Sequence, residues 1–223
     1  MSATLQNTSG HPATASCGFS LARGALHEFY TASEADSVSL PALAMMLGSA
    51  SARKAFLWVR HDALTGEAGT PYAAGLAELG FDPACFLLLR ARDVPCELRA
   101  GLDGARCAAL GAVIVEFRGE ARAYDLTASR RLALAARTSG VPVFLLRSGA
   151  KLAASAAESR WLARAAPSQA LAGRAPGRPA FHLTLLRIRN GQEGGQHHLE
   201  WNRDGQCLEN RLADGDAGYA RKP

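Results

Sequence analysis

Residues 112–146 carry the pattern that decides the fold. Ala112-Val113-Ile114-Val115-Glu116-Phe117 is an apolar run with one acid near its end, a helical repeat follows from Asp125 to Arg137, and Gly140-Val141-Pro142 leads into a second apolar run ending at Leu146. Five or six apolar residues without polar alternation describe a strand buried on both faces. Between the runs, Leu126, Ala128, Leu132, Ala135 and Ala136 fall along one side of a helix that Asp125 or Thr127 can cap. Gly140 tolerates the left-handed conformation that ends a helix, and Pro142 starts the next strand. Strand, helix and strand in this order form the repeating unit of a parallel sheet.

The pattern extends upstream. Ala55–Val59 and Cys85–Arg90 are further apolar runs, separated by a helical stretch, Tyr72–Leu79, that Gly80 closes. Val94–Ala108 reads as a helix with a break expected at Gly101 or Gly104. Nearer the start, Leu26–Thr31 reads as a strand and Leu40–Leu47 as a helix opened by Pro41. The expected fold class is therefore α/β, a mostly parallel sheet flanked by helices.

Downstream the character changes. Arg160–Ala166 alternates, with Arg160, Leu162 and Arg164 on one side and Trp161, Ala163 and Ala165 on the other, as in a half-exposed strand. The Pro/Gly/Arg segment Gly173–Pro179 reads as a mobile connection. Phe181–Arg189 and Gln196–Trp201, joined by the Gly-rich turn Asn190–Gly195, make an antiparallel hairpin. The expected organisation is a flexible leader (1–17), a core (18–167), a linker (168–180), a hairpin completing the sheet (181–209) and a flexible tail (210–223).

Composition narrows the chemistry. Of 223 residues, 48% are hydrophobic and 20% charged, enough for a sizeable core and against general disorder. The formal charge is +5, and only Lys54, Lys151 and Lys222 are lysines against 22 arginines. The basic charge is thus almost entirely guanidinium, which suits phosphate and carboxylate surfaces. No run of 18 apolar residues and no targeting signal is evident, so a cytoplasmic protein without membrane contact is expected. Cys17, Cys85, Cys96, Cys107 and Cys207 are scattered and read as reduced, mostly buried thiols. The histidines show no ligand spacing, so neither a metal nor another cofactor is expected.

The junction after the first strand is where nucleotide-binding α/β proteins cradle phosphates. Such a loop needs glycines for close backbone approach, a lysine for charge and a hydroxyl for magnesium. Here it reads Thr31-Ala32-Ser33-Glu34-Ala35-Asp36-Ser37-Val38, with neither glycine nor lysine. Glu34 and Asp36 would stand beside a polyphosphate, where each like-charge pair at ~4 Å and an effective dielectric of ~20 costs on the order of 4 kcal/mol. ATP turnover is therefore not expected, and the hydroxyls Ser33, Ser37 and Ser39 read as helix caps. Glu116 ends its apolar run where a nucleotidase would hold magnesium, but pairing with a neighbouring arginine is the expected role.

Several segments together resemble one family. They are Arg23-Gly24-Ala25-Leu26-His27-Glu28-Phe29-Tyr30, Phe56-Leu57-Trp58-Val59-Arg60, Leu79-Gly80-Phe81-Asp82-Pro83 and Leu87-Leu88-Leu89-Arg90-Ala91-Arg92-Asp93. Asp125-Leu126-Thr127-Ala128-Ser129-Arg130-Arg131-Leu132 with Gly140-Val141-Pro142, then Glu158-Ser159-Arg160-Trp161 and Leu199-Glu200-Trp201, complete the set. In order and spacing, across residues 18–203, the chain resembles the ImuA proteins of alphaproteobacteria, degenerate relatives of the RecA recombinase. The resemblance implies a RecA-like core and a non-catalytic accessory role in the SOS response to DNA damage. It implies a translesion-synthesis complex with ImuB, a Y-family polymerase homologue, with RecA as a partner and an error-prone polymerase III α-subunit homologue joined indirectly. By the same resemblance, Ser37 falls where the recombinase has its phosphate-loop lysine, and Arg60 near its catalytic acid. A cell-division inhibitor of the SulA type and a nucleotide-binding RecA paralogue are the alternatives.

Surface residues are the remaining candidates. Arg130 and Arg131 are consecutive on a helix and, with Arg122 and Arg137, form either a DNA-contacting face or a solvated one. Arg90 and Arg92 follow a strand at its carboxyl end, where they can balance Asp93 and Glu116. Arg187, Arg189 and Trp201 lie in the hairpin, where Trp161 and Trp201 serve either a core or a docking surface.

Overall fold

In the computed structural model, residues 19–31, 33–49, 55–64, 69–168, 173, 175, 177–189 and 194–211 are described. The expected leader, about half of the linker, the first four residues of the hairpin turn and all but the start of the expected tail lie outside them.

The apolar runs become strands β1 (Leu26–Thr31), β2 (Phe56–His61), β3 (Phe86–Ala91), β4 (Ala112–Arg118) and β5 (Val143–Ser148). Helices α1 (Glu34–Ser37) and α2 (Leu40–Gly48) follow β1, α3 (Ala73–Glu78) follows β2, α4 (Val94–Arg106) follows β3 and α5 (Leu126–Ser139) follows β4. The caps explain where the long helices start. Asp93 and Asp125 accept hydrogen bonds from the backbone N–H of Cys96 and Ala128, at 2.8 and 2.7 Å, and Gly140 ends α5 at φ 76°.

Beyond β5 come β6 (Ser159–Ala165), β7 (Ala180–Ile188), β8 (Gln196–Asn202) and β9 (Cys207–Asn210). All nine described strands form one sheet in the order β3-β2-β4-β5-β1-β6-β7-β8-β9. β1 pairs in parallel with both β5 and β6, and everything from β6 to β9 is antiparallel. The α/β fold class, mostly parallel with an antiparallel C-terminal part, is as the sequence predicts.

Two cores lie on opposite faces. Helices α4 and α5 pack on one, against Leu26, Val59, Val113, Val115, Val143 and Leu145. On the other, α2 packs beneath Phe29, Phe56, Ile114 and Phe144, and Trp161, Phe181, Leu183, Leu199, Trp201 and Leu208 of the antiparallel strands join the same cluster. The antiparallel half thus curls around α2 and meets the far side of the sheet. The Trp201 ring stacks on Phe81 at 5.6 Å, and its indole N–H donates to the Leu79 carbonyl at 2.9 Å. Trp201 is 1% exposed, so it serves the core and is not a docking residue.

Three expectations change. Helix α4 runs unbroken through Gly101 and Gly104, because both glycines let the helix sit close to the sheet. A Cβ on Gly101 would stand 2.7 Å from Val115 Cγ2, and one on Gly104 would run into Leu57. The expected two-strand hairpin gains a further strand, since Cys207–Asn210 adds β9 beside β8 with Leu208 in the core. Cys207 is disulfide-bonded, and the free thiols Cys85, Cys96 and Cys107 are half-buried or exposed. We predict that Gly104→Val destabilises the chain by about 1–3 kcal/mol and lowers Tm by roughly 2–12 °C, measured by thermal denaturation.

Candidate functional site

Open parallel sheets carry their chemistry at the carboxyl ends of the strands. Here that edge begins with the turn after β1. Ser33 caps α1, accepting from the Asp36 N–H at 3.3 Å and donating to Asp36 Oδ2 at 2.7 Å. Asp36 Oδ1 accepts from the Ala165 backbone N–H at 3.0 Å, tying α1 to the end of β6. The serine is the cap the sequence implies, and the Asp36 carboxylate is engaged in holding the turn. Ser37 is half-buried, Val38 is 76% exposed and the Thr31 hydroxyl is buried with no partner among the described residues. The Glu34 side chain lies outside the described part.

Farther along the same edge, beyond β5, Arg60 on β2 and Glu116 on β4 are directly opposite each other in the register. Arg60 Nε lies 3.4 Å from Glu116 Oε2, an ion pair between a buried guanidinium and a partly buried carboxylate, and the Trp58 indole N–H donates to the same oxygen at 3.1 Å. The guanidinium donates to the Gly69 and Leu64 carbonyls at 3.0 and 3.3 Å and lies over the Trp58 ring at 5.4 Å. Burial pushes the Glu116 carboxyl up, against the opposing pull of Arg60 and the Trp58 bond. The acid that ends the β4 run is therefore paired with an arginine, and Arg60 is structural and buried rather than a partner-facing residue.

Arg90 and Arg92 do not take part. Arg90 pairs with Asp62 at 3.4 Å and Arg92 with Asp93 at 3.5 Å, all at the surface. They sit on β3 and just after it, and β3 is separated from Glu116 by β2, so the expected balance with Glu116 is not made.

A second polar cluster, on the α4/α5 face, is not signalled by the sequence. Glu28, fully buried on β1, accepts from the hydroxyls of Tyr30 and Tyr124, the former at 3.0 Å, and pairs with Arg160 at 3.3 Å. Arg147, close by on the neighbouring strand β5, holds its guanidinium over the rings of Tyr30 and Tyr124 at 5.6 and 5.1 Å. Burial first, and the Glu28 charge second, push the Tyr30 phenol up to about 12. On the opposite face, His27 is pushed down to about 4 by burial. Its Nε2–H donates to the Ala22 carbonyl at 2.8 Å, and Nδ1 accepts from Ser159 at 2.7 Å, whose oxygen takes the Trp161 N–H. Glu97 of α4 is buried with one oxygen unpartnered among the described residues, and burial followed by Glu116 and Asp93 raises it to about 7.

The surface arginines divide in two. Arg130, Arg187 and Arg189 line one pocket of ≈ 260 Å³ together with Arg160. Arg131 lines a different groove, between α4 and α5, with Arg99. The single basic face expected of Arg122, Arg130, Arg131 and Arg137 is thus split by helix geometry, since consecutive residues lie about 100° apart. A larger cavity, ≈ 790 Å³, lies at the opposite end of the strands, lined by Arg23, Met46, Phe144 and Gln206 among others. Among the described residues no group of His, Cys, Asp or Glu is arranged to hold a metal ion, and no helix is long and apolar enough to cross a membrane.

No family model matches the chain. It is 35% identical over 139 residues to Protein ImuA of Caulobacter vibrioides, from strain NA1000 / CB15N and from strain ATCC 19089 / CIP 103742 / CB 15 alike. Each match takes in 56% of this chain and 54% of the relative, so the chain spans about half the length of the curated relatives it matches, and the match is shorter than the 18–203 stretch of the resemblance. The fold is similar to that of the RadB recombinase, with a TM-score of 0.55 at 15% identity, covering 86% of this chain and 92% of that one. The sheet and its helices are therefore those of a RecA-like fold.

The buried charges lead to two expected outcomes. Arg60→Met leaves the Glu116 carboxylate buried and unpaired and costs about 3–5 kcal/mol by urea denaturation at pH 8, which Glu116→Gln in the same chain largely restores, whereas Arg90→Ala changes stability by less than about 1 kcal/mol. Glu97 is raised, so between pH 4.5 and about 7 the native chain holds a proton that the unfolded chain has released, and stability falls as pH rises through that window. Glu97→Gln removes this loss. Its Tm gain over the unmodified chain is expected to be larger at pH 8 than at pH 5.

Proposed function

We propose that this chain is a non-catalytic accessory protein of an error-prone translesion-synthesis complex in the DNA-damage response. One observation carries the reading. The buried Arg60–Glu116 pair, closed over by Trp58 and the Leu64 and Gly69 carbonyls, fills the strand ends where a RecA-like ATPase sets its acids toward nucleotide and magnesium. The turn after β1, on the same edge of the sheet, has neither the glycines nor the lysine of a phosphate loop, and its Asp36 is committed to the cap and to β6. Without that equipment the fold serves as a scaffold.

The 35% identity to ImuA supports the complex to which the scaffold belongs. In that reading the partners are a Y-family polymerase homologue of the ImuB type and RecA, with an error-prone polymerase III α-subunit homologue joined through the first. Its place of action is the cytoplasm. The Arg60–Glu116 pair supports the scaffold role, and the identity supports the choice of partners.

Co-expression of the tagged full chain with the Y-family homologue from the same genome tests the reading, together with equilibrium binding of a fluorescent ATP analogue. Co-elution at near-equal stoichiometry and no saturable nucleotide binding are expected. Saturable, magnesium-dependent binding would overturn the non-catalytic assignment. Failure to retain the homologue or RecA, with retention of a tubulin-like division protein, would move the chain to the SulA type.

A further inference from the structure

The sheet presents very different faces once it passes β1. One face of β6–β8 carries Trp161, Ala163, Phe181, Leu183, Leu199 and Trp201, all buried in the core around α2. By strand alternation and register, the opposite face carries Leu162, Arg164, His182, Thr184 and His198, which are half-buried or exposed. At one border of this face lies the ≈ 260 Å³ pocket formed with α5, which Arg130, Arg160, Arg187 and Arg189 line together.

The charge on this surface is uncompensated. Elsewhere Arg90, Arg92, Arg106 and Arg211 each lie within ion-pair distance of a carboxylate, while Arg99, Arg131 and Arg137 on α4 and α5 have none among the described residues and stand apart from this face. Among the described residues, Arg130, Arg164, Arg187 and Arg189 have no such partner. Arg187 stands directly across the strand pair from Arg160, an arrangement of like charges that disfavours the bare sheet. Arg160 is fixed in place by Glu28 and by the Ser155 carbonyl and hydroxyl at 3.1 and 3.0 Å.

Two of the nearby acids, Glu28 and Glu200, are already ion-paired. Glu28 lies beneath Arg160, Glu200 is buried against Arg211 at 2.7 Å, and Glu209 accepts from Asn202 at 2.6 Å. Glu158, half-buried just before β6, accepts the Arg189 backbone N–H on its own backbone carbonyl at 2.8 Å, and among the described residues its carboxylate is not within ion-pair distance of an arginine.

We infer that this pocket and the strand face beside it bind the phosphodiester backbone of nucleic acid. A single small anion would satisfy the pocket alone. The arginine on α5, the pair on and just after β7 and Arg164 farther along β6 are instead spread over a helix and two strands, at strand spacings of about 4.8 Å. That spread suits a chain of phosphates, and guanidinium binds phosphate oxygens bidentately. No aromatic ring lies on the exposed face among the described residues apart from the two histidines, so contact falls on the backbone and not on stacked bases. The surface is separate from the turn after β1, and the inference does not rest on the adaptor reading.

Fluorescence anisotropy with a labelled single-stranded oligonucleotide and with the same sequence as a duplex, from 50 to 200 mM salt, tests it. Binding that weakens with salt is expected, and comparison of the two probes tells which form supplies the phosphates. Arg130→Gln, Arg187→Gln and Arg189→Gln together should lower affinity tenfold or more and reduce the slope of log K against log salt by about 0.7–0.9 for each phosphate no longer neutralised. Arg99→Gln, Arg131→Gln and Arg137→Gln together remove the same charge elsewhere and should leave at least half the affinity. Arg187→Lys alone should keep the slope. All these side chains are exposed or half-buried and carry no structural ion pair, so unchanged Tm is the expected folding control. Absence of binding to either probe at 50 mM salt, equal loss in both triple variants, or equally tight binding of poly-glutamate would each overturn the proposal.

Discussion

A carboxylate with no exposed surface sits on the strand where the two halves of this sheet meet. Glu28 on β1 is flanked by β5 on one side and β6 on the other, and it gathers a ligand from each direction: Arg160 from β6, and the hydroxyls of Tyr30 and Tyr124 from its own strand and the segment before α5. A buried charge is tolerated only when its partners are held in place. That requirement joins the parallel core to the antiparallel extension in addition to the backbone ladder, and Arg147 stacked over both phenols closes the cluster. The same network orients Arg160, whose position sets the floor of the arginine pocket on the surface above.

Charge in this molecule is arranged by depth. At the carboxyl edge of the parallel strands, Arg60 and Glu116 neutralise each other in a dry setting, and Asp36 is committed to backbone contacts. On the outer face of the antiparallel strands, arginines stand without carboxylates among the described residues. The carboxyl edge of this RecA-like fold is thus held by internal pairing, whereas the outer face of the extension leaves arginines open to solvent.

The parallel core was legible because its strands are buried on both sides. Runs such as Ala112–Phe117 and Phe56–Val59 admit no other reading once helices with aspartate caps and glycine stops lie between them. Where sequence and structure part, the causes are equally local. Gly101 and Gly104 look like helix breaks because propensity is a property of the isolated chain, whereas here the missing side chains let α4 approach Val115 and Leu57. Strand β9 is hidden in the sequence because four residues with one buried leucine carry almost no periodic signal. At the site, the missing phosphate-loop residues and an arginine partner for Glu116 were legible, but Arg60 as that partner was not, because it depends on β2 lying beside β4.

By itself the sequence determined the order of the parallel strands and their helices, the lack of glycine and lysine in the turn after β1 and the dominance of arginine, since each depends on residue type at neighbouring positions. The tertiary structure decided which charges meet. Glu28 and Arg160 are far apart in the chain and become neighbours only because β6 adds to the sheet beside β1. Arg130 and Arg131 are adjacent in sequence, yet helix geometry sends one to the arginines of β6 and β7 and the other to the groove against α4. Pairing between distant segments is fixed by how the strands order themselves in the sheet, and that order is a property of the packed core rather than of any stretch of chain.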